Sequence, residues 1–180
     1  MSRIAERFRQ LAASGRKALV PYVVAGDPDP AATVPLLHAL VAAGADILEL
    51  GVPFSDPMSE GPVIQKAHER SLARGTRLRA VLDMVREFRR DDADTPLLLM
   101  GYANPVEHMG YAAFADAAAA VGVDGLLTVD IPPEEVARVN RELTRVGMDN
   151  IFLVAPTTPE ARLDLITREA SGFIYYVSLK

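Results

Sequence analysis

Three times in this chain a helix-patterned stretch closes on a Gly-x-Asp triplet and a short apolar run begins: Gly44-Ala45-Asp46, Gly122-Val123-Asp124 and Gly147-Met148-Asp149. A glycine just past a helix takes the left-handed backbone at little cost and so ends the helix. The short runs fall at 18–24, 46–50, 96–101, 125–129, 150–154 and 173–178. Most are apolar on both alternating faces, as a strand covered on both sides reads. Helical spacing fills the gaps, at 31–43, 63–74 with 78–89, 111–121, 133–145 and 159–169, and an amphipathic stretch at 2–13 precedes the first run. Strict alternation of this kind predicts an α/β fold with parallel strands rather than segregated helices and sheet.

Two parallel architectures fit the alternation, an open doubly wound sheet and a (β/α)8 TIM barrel. The nucleotide-binding form of the first carries G-x-G-x-x-G after an early strand. The turn here is Ala25-Gly26-Asp27-Pro28, which weakens that reading. A barrel needs eight strands and about 250 residues, whereas this chain has 180 and stops at Lys180, just after the sixth run. The expectation is one incomplete TIM-barrel domain over residues 1–180, with about six βα units present and strands seven and eight absent.

Composition narrows the function. With 49% hydrophobic and 24% charged residues the chain is globular rather than disordered. Nineteen basic residues against 24 acidic give a net charge of −5, without a Lys/Arg cluster, so nothing supplies the footprint that nucleic acid requires. The absence of cysteine excludes a disulfide framework, a zinc–thiolate site and a thiol nucleophile, and agrees with a reducing cytosol. No run approaches the roughly 18 apolar residues of a membrane span. The run at 18–25 contains Pro21 and makes a poor signal peptide. A cytoplasmic protein is expected, without membrane or nucleic-acid partners.

Polar residues gather where the strands end: Asp27 after the first, Glu49 in the second, Tyr102 and Asn104 after the third, Asp130 after the fourth, with Tyr175 in the sixth. Both parallel architectures place ligands at that end. Glu49 stands in Ile47-Leu48-Glu49-Leu50, on the face shared with Ile47. A buried carboxylate must find a partner or raise its pKa. It is therefore either an acid–base group near neutral pH or a structural anchor for loop amides or a cation, and the pattern does not choose. Residues 51–62 hold three prolines and two glycines, a shaped loop carrying Asp56 and Glu60. Two readings stand: a second carboxylate facing Glu49, or a solvated loop whose acid starts the helix at Pro62. His38, His68 and His108 lack metal-ligand spacing, and His38 and His68 read as ordinary surface or groove residues on helices. No metal site is expected.

LELGVPFSDPMSEGPVIQ at 48–65 resembles the signature of the tryptophan synthase alpha subunit family. So do ALVPYVVAGDP at 18–28, LMGYANPV at 99–106, VDIPPEE at 129–135 and IYYVSLK at 174–180. The resemblance runs in order through the whole chain. It implies a (β/α)8 barrel that cleaves indole-3-glycerol phosphate to indole and glyceraldehyde 3-phosphate, a retro-aldol carbon–carbon lyase of tryptophan biosynthesis. It further implies no cofactor in this chain, since pyridoxal phosphate belongs to the partner beta subunit, and an assembly of two alpha with two beta chains. The catalytic positions fall on Glu49, which shuttles the proton at the indole C3 carbon, and on Glu60, which accepts the indole N–H. Tyr102, Leu127 and Tyr175 match pocket-lining positions, and Tyr22, Met100 and Leu153 would complete an apolar slot for the ring. Pro53 and Asp56 match the beta-subunit contact surface, to which Asn104 and Asp130 are added.

Two departures from the family pattern matter. Ser59-Glu60 stands where the family has Ala-Asp, a stem one methylene longer, and a displacement of roughly 1 Å can cost about 10²-fold in rate. Weakened chemistry of the isolated subunit is expected from this. Past Lys180 the family continues with a glycine-threonine loop and with the phosphate-binding loops that follow strands seven and eight. The 180-residue form is accordingly expected to bind the phosphate poorly and to be close to inactive. The alternative is a catalytically impaired subunit that binds and activates the beta chain.

Overall fold

The computed structural model describes residues 2–178. In chain order it contains α1 (Arg3–Ala13), β1 (Tyr22–Val24), α2 (Pro30–Ala42), β2 (Leu48–Gly51), α3 (Gly61–Ala73), α4 (Leu78–Phe88), β3 (Leu97–Gly101), α5 (Ala103–Met109), α6 (Tyr111–Val121), β4 (Gly125–Thr128), α7 (Ala137–Val146), β5 (Asp149–Val154), α8 (Glu160–Glu169) and β6 (Ile174–Tyr176). Every strand pairs in parallel with its predecessor, in the spatial order β1-β2-β3-β4-β5-β6. That order separates the two architectures left open by the alternation. A doubly wound sheet reverses direction at a switch point, whereas an order that never reverses belongs to a barrel wall. The described residues form six staves of a TIM barrel.

Each strand carries two apolar layers because successive side chains point to opposite faces. Ile47, Leu98, Leu127 and Ile151 point inward and pack with Ile4 of α1. Leu48, Leu50, Leu97, Leu99, Leu126 and Phe152 point outward under the helices, against Leu37, Val81, Phe88, Phe114 and Leu143. At full burial each of these side chains stabilises the fold by roughly 1.5–3 kcal/mol before its ordering entropy is subtracted. Gly122 and Gly147 end α6 and α7 in the left-handed conformation, at φ of 87° and 75°.

The aspartates of the Gly-x-Asp triplets share one structural role. All three lie at the N-terminal mouth of the barrel, where α1 crosses. Asp46 accepts Leu19 N–H and faces Arg7 and Arg16. Asp124 accepts Leu97 N–H and pairs with Arg3 at 2.7 Å and Arg89 at 2.8 Å. Asp149 accepts the Ser2 hydroxyl. The amphipathic helix at the start of the sequence is thus the plug of the barrel floor, held by Ile4 in the centre and by three carboxylates around it.

Some boundaries differ from the sequence reading. β1 is shorter than 18–24 because Pro21 has no N–H to donate to a ladder. Its partner's amides still reach across: Asp46 N–H donates to the Leu19 carbonyl and Glu49 N–H to that of Pro21. The helix expected from 133 begins at Ala137. After Pro132-Pro133 the chain first makes a turn, in which Glu135 N–H donates to the Pro132 carbonyl. The structure adds α5, a helix of seven residues with Pro105 in its first turn and Gly110 at its end, too short to show a periodic pattern in the sequence.

Candidate active site

The C-terminal mouth holds a cavity of about 480 Å³. Glu49 and Glu60 both line it, with Tyr22, Met100, Leu127, Leu153 and Tyr175 around them. Ser59, Ile64, Val154, Ala155, Thr158 and Val177 also contribute. Sequence reasoning missed these six, because Ile64 lies on the first turn of α3, Val154 at the end of β5 and the rest in loops, where no pattern marks a cavity wall.

Glu49 reaches the cavity by strand alternation. Its neighbours Leu48 and Leu50 are sealed under the helices, so its own side chain must point inward with Ile47. The residue is 3% exposed, and its Oε1 has no hydrogen-bond partner among the described residues. Burial raises its pKa to about 7, because removing water disfavours the charged form and no cation offsets that. The anchoring role left open by the sequence would require loop amides or a cation at this oxygen, and Oε1 has neither.

Glu60 stands at the start of α3 without capping it: its side chain makes no bond to the helix amides. Its Oε2 instead accepts the Tyr102 hydroxyl at 2.5 Å and Ser59 N–H at 3.2 Å. Tyr102 therefore stands behind Glu60 rather than on the cavity wall, a placement different from the pocket-lining position expected for it. Its ring stacks on Phe54 with centroids 4.8 Å apart. Burial, helped by the bond to Glu60, pushes the Tyr102 phenol up to about 12.

His68 is not the ordinary groove residue expected from its position on α3. It is fully buried behind the cavity, with Nδ1 3.0 Å from Phe54 N–H, Nε2 3.3 Å from Tyr22 Oη and 4.0 Å from Glu60 Oε1. Burial lowers its pKa, with Glu60 opposing the shift. A histidine on the inner stripe of a helix that packs against a strand carrying tyrosine was the available signal. His38 is half-buried, with its ring 4.8 Å from that of Phe88.

The residues assigned to partner contact do not all line one hollow. Pro53 and Asn104 line a hollow of about 610 Å³ on the outer side of the same loop, with Phe54, Arg77, His108 and Met109 among its walls. Asp56 is exposed beside it and accepts the Ser55 hydroxyl. Asp130 does not line that hollow but accepts Ala103 N–H at 2.8 Å, one residue before Asn104, which ties the β4 loop to the start of α5. No group of three metal-ligating side chains occurs among the described residues, and none of their helices is long and apolar enough to cross a membrane.

The family model "Tryptophan synthase alpha chain" matches residues 8–180. The chain belongs to the tryptophan synthase alpha chain family. It is 66% identical over 180 residues to the tryptophan synthase alpha chain of Thioalkalivibrio sulfidiphilus, covering all of this chain and 68% of that one. The crystal structure of tryptophan synthase subunit alpha from Legionella pneumophila superposes with a TM-score of 0.97 at 51% identity, over 100% of this chain and 70% of the other. The alpha-type fold also matches a chain in the tryptophan synthase complex of Pyrococcus furiosus, with a TM-score of 0.84 and 42% identity, over 88% and 65% of the two chains. The chain thus spans about two thirds of the length of these family members. Glu49 and Glu60 line a cavity at the C-terminal mouth, the end at which TIM barrels build their sites.

Proposed function

We propose that the Glu49–Glu60 cavity performs the carbon–carbon lyase reaction of the tryptophan synthase alpha chain, cleaving indole-3-glycerol phosphate to indole and glyceraldehyde 3-phosphate. The observation that carries the reading is Glu49: a buried carboxyl, without a partner at Oε1, near half-protonated at neutral pH and facing a largely apolar slot that also holds a second carboxylate.

In this reading the Glu49 carboxyl delivers a proton to C3 of the indole ring, turning the ring into a leaving group. The carboxylate left on Glu49 takes the proton of the side-chain hydroxyl as the bond between C3 and the hydroxyl carbon breaks, and that bond's electron pair returns to the ring. Indole leaves, and the hydroxyl carbon becomes the aldehyde of glyceraldehyde 3-phosphate. Glu60, held by Tyr102, accepts the indole N–H and balances the charge that develops there. Leu127, Met100, Leu153 and the faces of Tyr22 and Tyr175 provide the slot for the flat ring. The proton transfers use two carboxylates and require no cofactor from this chain. The beta subunit, which holds pyridoxal phosphate, docks on the outer side of the loop around Pro53, Asp56 and Asn104, and the assembly works in the cytoplasm.

Indole release from indole-3-glycerol phosphate tests the proposal directly, with and without a beta subunit. Slow turnover above the protein-free rate is expected from the 180-residue form, and Glu60→Asp is expected to raise it by restoring the family stem length. Turnover that survives Glu49→Gln unchanged would overturn the assignment.

A further inference from the structure

His68 has a role that its place behind the cavity defines. An amide can only donate, so Phe54 N–H at 3.0 Å requires a lone pair on Nδ1. The ring hydrogen of neutral His68 then sits on Nε2. An imidazolium would set N–H against N–H at Phe54, and burial also disfavours the charge. Nε2 is 3.3 Å from Tyr22 Oη and 4.0 Å from Glu60 Oε1, so the hydrogen goes to the tyrosine oxygen. Tyr22 Oη is thereby an acceptor on its back side, and its own hydrogen must point elsewhere. Among the described residues that oxygen makes no other hydrogen bond. The phenol stays protonated, because burial and the carboxylates of Glu60 and Glu49 push its pKa up.

The oxygen is also held from the side. Tyr22 pairs in register with Glu49, and Gly51 leaves bare space where a Cβ would come within 2.3 Å of Tyr22 Oη. The direction left open is the cavity. We propose that His68 is a positioning residue: it fixes the Tyr22 hydroxyl as a hydrogen-bond donor aimed into the Glu49–Glu60 cavity, to be met by an oxygen of the ligand's side chain. The ligand class rests on the lyase reading above. An indole ring has no acceptor in its plane and its N–H is itself a donor, so this hydroxyl favours an indole with an oxygenated side chain over indole. It helps hold the substrate and contributes nothing to retaining the indole product.

The first test uses the unmutated chain, labelled with 15N at histidine. Near neutral pH the His68 ring is expected to show an Nε2–H hydrogen and a pyridine-like Nδ1, and an Nδ1–H tautomer or an imidazolium would overturn the proposal. The second compares two probes that cannot be cleaved, 3-(indol-3-yl)propane-1,2-diol and 3-propylindole, by titration calorimetry. Tyr22→Phe is expected to weaken the diol about fivefold and to leave 3-propylindole within about twofold, as loss of one hydrogen bond predicts. His68→Ala should follow Tyr22→Phe, while His68→Gln, whose amide reproduces the Nε2 donor, should keep the diol affinity within about twofold. Equal weakening of both probes, or none for the diol in Tyr22→Phe, overturns the inference and leaves the lyase reading standing. An unmutated chain that binds neither probe overturns both.

Discussion

The two mouths of the barrel treat carboxylates in opposite ways. At the N-terminal mouth the buried Asp46 and Asp124 meet arginines that compensate their charge, and the half-buried Asp149 accepts the Ser2 hydroxyl. At the C-terminal mouth Glu49 has a bare Oε1 and a raised pKa. The same residue chemistry is structural where a helix brings cations to it, and reactive where none arrives. The contrast also explains why the plug helix lies at one end only: it closes the floor and leaves the other mouth open to a ligand.

The largest effect should come from breaking the contrast at Glu49. Glu49→Gln keeps the shape and removes the proton, so indole release should fall about 10³-fold. Stability should move the other way. The folded-state pKa of about 7 lies above the ordinary glutamate value of 4.5, so the folded chain binds more protons between those limits and loses stability as pH rises through them. Above pH ~7 the wild-type chain carries a penalty of about 3 kcal/mol that the glutamine lacks. Urea unfolding near pH 5 and pH 8 should show that difference growing with pH.

Breaking the floor should do the converse. Asp124→Ala takes from Arg89, only 10% exposed, its nearer carboxylate, leaving Asp92 at 3.9 Å, and orphans Leu97 N–H. A loss of about 3 kcal/mol in unfolding free energy is expected, with turnover per folded molecule unchanged. Tyr102→Phe keeps the stacking on Phe54 and removes one bond to Glu60, so kcat/KM should fall about fivefold while the unfolding midpoint barely moves. The smallest effect belongs to Arg7→Ala. That pair is 3.9 Å apart and Asp46 retains Leu19 N–H and Arg16, so the unfolding free energy should change by less than about 0.5 kcal/mol.

Read alone, the chain makes the alternation, the parallel strands, the inward face of Glu49 and the family signature around it legible, because each is a local pattern of period two or 3.6 or a contiguous string. The order β1 to β6, which separates a barrel wall from a doubly wound sheet, involves strands far apart in sequence and appears only in the assembled sheet. The same holds for the charges. A Gly-x-Asp triplet shows where a strand begins, but what its aspartate meets depends on where α1 crosses the floor. Glu60 looked equally like a helix-start acid until the Tyr102 hydroxyl reached it from 42 residues away, and His68 looked like surface until β1 and the loop at Phe54 closed over it. Sequence determines which face a side chain takes on its own element. Its protonation and hydrogen-bond partners depend on water excluded by other elements, and that was decided only when those elements packed together.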